Sequence, residues 1–63
     1  MDPTACYLEI FEAMRDEDHE TARERALALQ NWLDRGGFYP PMYTKVEVDA
    51  YVQNVLRRTA YLG

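Results

Sequence analysis

The sequence predicts an all-α fold of three helices, on three observations. Apolar residues recur at spacings of three and four in three separate segments. Each segment opens on a residue that caps helices. The segments are separated first by a short acidic turn and then by a loop rich in Gly, Pro and aromatic residues. The first two helices, about 3–16 and 18–35, are joined tightly enough to form an antiparallel hairpin, and a third, about 45–60, follows the loop. One small domain, residues 1–63, accounts for the whole chain.

In the first helix Asp2 is the cap. Pro3 takes the first helical position, where its missing N–H costs nothing. Ala5, Leu8, Phe11 and Met14, joined by Tyr7 and Ile10, predict a broad apolar stripe as its buried face. The second helix is capped by Asp16 or Asp18, with further carboxylates at the positive end of its dipole. Its stripe is Ala22, Ala26, Leu29 and Leu33, flanked by Leu27 and Trp32, and the alanines let a neighbour come close. Gly36 or Gly37 ends it in the left-handed conformation; with Gly37 in that role, Phe38 would cover Leu33.

The third helix starts at Thr44 and Glu47, which match a capping box. Val48, Val52, Val55 and Thr59 face one way with Tyr51 and Leu56 beside them, and Arg57 and Arg58 suit the negative end of the dipole. Its valines also fit a strand over 46–52, but the capping box and the four-residue spacing favour helix.

The loop Gly36–Thr44 carries the string Pro40-Pro41-Met42-Tyr43, which resembles the Pro-Pro-x-Tyr ligands of WW domains. That resemblance implies an extended, accessible segment docking into an aromatic groove. Here the string is fastened between a helix end and a helix cap. The preferred reading is therefore a stiff turn whose aromatics pack over the open end of the hairpin. Asp18-His19-Glu20-Thr21-Ala22 resembles the second-helix entry of tetratricopeptide repeats over five residues. The earlier aromatic and leucine of such a repeat have no counterpart, so no family follows.

Composition bounds function. A chain of 63 residues has a marginal core and needs self-association or dense aromatic packing, because its single cysteine, Cys6, cannot form a disulfide within the chain. That lone thiol, no leader segment and no apolar run approaching the roughly 18 residues of a membrane span predict a cytoplasmic protein with no membrane partner. The net charge of −4 disfavours nucleic acid, although three helices with Arg57 and Arg58 keep a helix-turn-helix-like nucleic-acid binder or regulator as the alternative. The charge is uneven: residues 1–20 hold seven acids against Arg15.

Chemistry-bearing groups are sparse. The one cluster with metal-ligating residues, Asp16-Glu17-Asp18-His19-Glu20, lacks a converging ligand set and reads as an acid-rich helix start. Cys6 reads as a small buried hydrophobe. There is no serine, no glycine-rich phosphate loop and no second histidine, so no catalysis, metal or cofactor is expected. What exceeds the needs of so small a core is its aromatics. Trp32, Phe38, Tyr39, Tyr43, Tyr51 and Tyr61, with Pro40 and Pro41, are the expected interaction residues. The expected function is a small non-enzymatic module for protein–protein interaction or assembly that self-associates as a homodimer or takes another protein as partner. Glu9 and Glu12 would then pair with Arg57 and Arg58 between subunits.

Overall fold

The computed structural model describes residues 1–62; Gly63, the last residue of the expected domain, lies outside the described residues. Three helices follow one another, α1 (Pro3–Arg15), α2 (His19–Asp34) and α3 (Lys45–Arg58), and a 3₁₀ turn at Ala60–Leu62 follows α3. The described residues contain no strand, so the valines of 46–52 are helical. α2 is the central element and both other helices pack on it. Antiparallel pairing with α1 brings the Cys6 thiol to the Arg25 carbonyl at 3.3 Å. Antiparallel pairing with α3 brings the Arg23 guanidinium to the Leu56 carbonyl at 3.0 Å.

Local chemistry fixes every helix boundary. The Asp2 carboxylate accepts from the Thr4 and Ala5 amides at 3.0 and 3.4 Å and caps α1. At the other end of α1 the Asp18 amide donates to the Ala13 carbonyl at 2.8 Å and Glu17 takes a left-handed φ of 57°. This is a Schellman end with a non-glycine residue at its strained position. Asp18 then caps α2 directly, accepting from the Thr21 amide, which is why the hairpin turn is so short. Those hydrogen bonds from Thr21 hold the Asp18 carboxyl below its usual pKa. Of the two candidate caps, it is Asp18 and not Asp16 that serves α2.

α2 ends in a second Schellman motif. Gly36, not Gly37, takes the left-handed position, with φ of 86°. The Gly37 amide donates to the Trp32 carbonyl at 2.9 Å. Phe38 is directed onto Trp32, edge to face at 5.6 Å between centroids. At the start of α3 the capping box is complete: the Glu47 amide donates to the Thr44 hydroxyl, and the Thr44 amide to the Glu47 carboxylate.

Ala22, Ala26 and Leu29 of α2 meet Val48, Val52 and Val55 of α3 and Cys6, Tyr7, Ile10 and Ala13 of α1 in one buried cluster. The expected faces of α2 and α3 are the buried ones, except that Leu33 is only partly covered. Thr59 extends the α3 face and is fully buried; its hydroxyl donates to the Val55 carbonyl at 2.8 Å and accepts from Arg23. The buried face of α1 differs from expectation. It consists of Pro3, Cys6, Tyr7, Ile10 and Ala13, whereas Ala5, Leu8 and Phe11 are exposed. α1 is apolar around much of its circumference, and the arc that faces α2 is chosen by size. Cys6 and Ala13 fit against the alanines of α2 at close approach, which Leu8 and Phe11 would prevent.

Candidate interaction surface

The aromatic residues gather at three places. The first is the seam between α1 and α3. Tyr7, buried on α1, presents its edge or face to Phe11 at 4.9 Å, to Tyr43 at 4.8 Å and to Tyr51 at 5.8 Å. Phe11 and Tyr51 stack at 4.3 Å with 29° between their planes. Each such pair adds about 0.5–1.5 kcal/mol beyond the area it buries. Four rings therefore close the gap that α2 leaves between its two neighbours. Burial pushes the Tyr7 and Tyr51 phenols above their ordinary range; the Glu47 charge adds to the effect at Tyr7, and Arg58 opposes it at Tyr51. The seam is not sealed: Phe11 is 38% exposed and its neighbour Leu8 43%.

The second group sits at the C-terminal end of α2. The Trp32 indole N–H donates to the Phe38 carbonyl at 3.0 Å, and its ring lies against Gly37. The Tyr39 hydroxyl donates to Asp49 on α3 at 2.9 Å, and Lys45 stands 5.6 Å above the Tyr39 ring. The Asp49 carboxylate holds that phenolic proton and raises the Tyr39 pKa. Pro40 is fully buried and the Tyr43 amide donates back to its carbonyl at 3.2 Å, so Pro40–Tyr43 forms a closed turn. A turn with its first proline buried and its tyrosine half-buried in the seam differs from the extended ligand that the Pro-Pro-x-Tyr resemblance implies. Pro41 and Met42 are exposed, Met42 by 84%.

The third place is the far end of α3, where the exposed Tyr61 hydroxyl shares a hydrogen bond with Nδ1 of His19 at the start of α2. The eight expected interaction residues are thus split among three regions, and only Tyr43 and Tyr51 share the seam. Phe11 and Leu8, expected in the core, belong instead to this surface.

The charged residues are equally segregated. Glu9 and Glu12 line a groove on the α1–α2 side with Asp16, Asp18 and Arg25, and Glu9 lies 3.8 Å from Arg25. Arg57 and Arg58, in the last turn of α3, have no carboxylate within 4 Å among the described residues. Cys6 is buried, and burial first, then Glu9, raises its thiol pKa against the opposing Arg25. Such a thiol is a poor nucleophile at neutral pH. Among the described residues no three His, Cys, Asp or Glu side chains are grouped to hold a metal ion. No helix there is long and apolar enough to cross a membrane.

Comparison with known protein families, with curated proteins and with solved structures gives no match. The surface chemistry alone therefore carries the functional reading.

Proposed function

We propose that this chain is a small non-enzymatic helical module that acts by protein–protein association, first of all with a second copy of itself. The observation that carries the reading is the open aromatic seam, in which Phe11, Leu8 and Tyr51 expose apolar surface beside rings already ordered by packing. Ordered aromatic side chains lose little conformational freedom when covered, and tyrosine offers an apolar body with a polar tip. A chain of 63 residues also gains more from covering such a surface than a large domain does, because its own core is so small. The setting that fits is the cytoplasm, since the single cysteine is a buried thiol without a partner in the chain.

Sedimentation equilibrium over a roughly hundredfold concentration range tests the proposal. The expected result is an apparent mass rising with concentration from that of the 7.4 kDa chain towards twice that value. A mass of one chain at every concentration overturns self-association.

A further inference from the structure

The seam has a charge pattern that specifies how a second copy would sit on it. Thr4, Leu8, Phe11 and Arg15 form one row on α1; Glu47, Tyr51, Asn54 and Arg58 form another on α3, with the same steps of four, three and four residues. Residues at these spacings share a helix face. The Phe11–Tyr51 stack joins the two rows side by side. The rows run in the same direction, because Tyr7 meets Tyr43 ahead of α3 while Phe11, one turn further on, meets Tyr51.

The consequence is a face with an apolar centre and two unlike ends. Leu8, Phe11 and Tyr51 make the centre. Arg15 and Arg58 make one end positive. Glu47 makes the other negative. The Glu47 carboxylate meets only the Thr44 group that it caps, and Arg58 has no carboxylate within 4 Å among the described residues. Among the described residues Arg15 pairs with its exposed neighbour Asp16 alone, at 3.4 Å.

We propose that two copies associate through this face in antiparallel fashion, about a two-fold axis through the Phe11–Tyr51 stack, with Arg58 of each copy against Glu47 of the other. This rests on the self-association reading above. A two-fold interface must be complementary to itself. Only the antiparallel arrangement lays the apolar centre on itself while setting each positive end on a negative one. A parallel arrangement would set the two positive ends against each other. The face lies within extents of 28 and 20 Å. The contact is therefore smaller than the ~800 Å² per partner of standard complexes, and the dimer is a weak one.

The geometry provides its own test. Arg58→Glu and Glu47→Lys each place like charges at both contacts of a homodimer, and each is expected to raise the dimer Kd about tenfold or more. Mixed in equal amounts, they form a heterodimer in which both contacts again carry opposite charges, and near-wild-type affinity returns. Sedimentation equilibrium with one variant labelled reads all three samples. Circular dichroism checks that each variant is helical. Glu47→Gln keeps the capping hydrogen bond while removing the charge, so its weaker loss of affinity separates the contact from the cap. Glu20→Lys, beside Leu27 and Leu62 on α2, is expected to leave the Kd unchanged.

If the wild type dimerises but the mixture binds no more tightly than its components, the antiparallel register is wrong while self-association stands. If the wild type is monomeric throughout, both fall.

Discussion

Between α2 and α3 the contact is aliphatic and closed: Ala22, Ala26 and Leu29 meet Val48 and Val55, and all five are fully removed from solvent. Between α1 and α3 the contact is aromatic and open. Tyr7 is buried, but Phe11 and Leu8 keep about two-fifths of their surface exposed. Both regions are apolar, yet they pack differently. Small and branched side chains let helices approach until no space remains. Rings span a wider gap and leave their outer edges uncovered. The first region is sealed, and the second leaves apolar surface uncovered.

The largest expected effect lies in the closed region. Leu29→Ala should cost about 2–5 kcal/mol in equilibrium urea unfolding, the range for a fully buried leucine. In a domain this small such a loss removes much of the folded population at 25 °C. A loss under about 1 kcal/mol would place Leu29 among surface residues and erase the contrast.

How much of this contrast could be read from the sequence depends on the element. α2 and α3 are legible because each has one stripe and strong end signals: a capping carboxylate at Asp16 or Asp18, the Thr44–Glu47 box, and a glycine pair after Asp34. Their buried faces follow from periodicity alone. α1 buries Tyr7 and Ile10 as its periodicity predicts but turns Cys6 and Ala13 inward in place of Leu8 and Phe11, because its apolar residues leave it no clean polar side. Which arc turns inward is decided by the alanines of α2, a partner's property that periodicity in α1 does not contain. The choice between Gly36 and Gly37 was similarly open, since either spacing permits a cap. For the candidate surface, the sequence showed an excess of aromatics but could not group them. Trp32 and Phe38 lie at one end, Tyr61 at the other, and only a three-dimensional arrangement brings Tyr43 and Tyr51 to Tyr7 and Phe11.

The Trp32 end falls between the two regions and can be assigned to one of them. A methyl group added at Gly37 would fall within the Trp32 ring, so Gly37→Ala forces the indole to move. If that end is packed like the aliphatic core, thermal or urea unfolding will show a loss of about 1–3 kcal/mol, as overpacking does. A loss below about 0.5 kcal/mol would mean that the ring swings aside freely. The end would then belong with the open aromatic surface.

The smallest effect on folding is expected at Leu8, and it sharpens the comparison most. Leu8 makes none of the ring contacts of the seam and is 43% exposed, so Leu8→Ala should change unfolding free energy by no more than about 0.5 kcal/mol. The same substitution removes apolar surface from the centre of the proposed contact in both copies. Losing about 1 kcal/mol of burial there corresponds to a roughly fivefold rise in the dimer Kd, measured by sedimentation equilibrium. The two readouts must therefore move apart: folding nearly constant, association weaker. Should Leu8→Ala instead cost 2 kcal/mol or more in folding with no change in association, the seam would be the edge of the monomer core. A surface that serves assembly is distinguished by the opposite pattern, in which a side chain matters to the pair and hardly at all to the single chain.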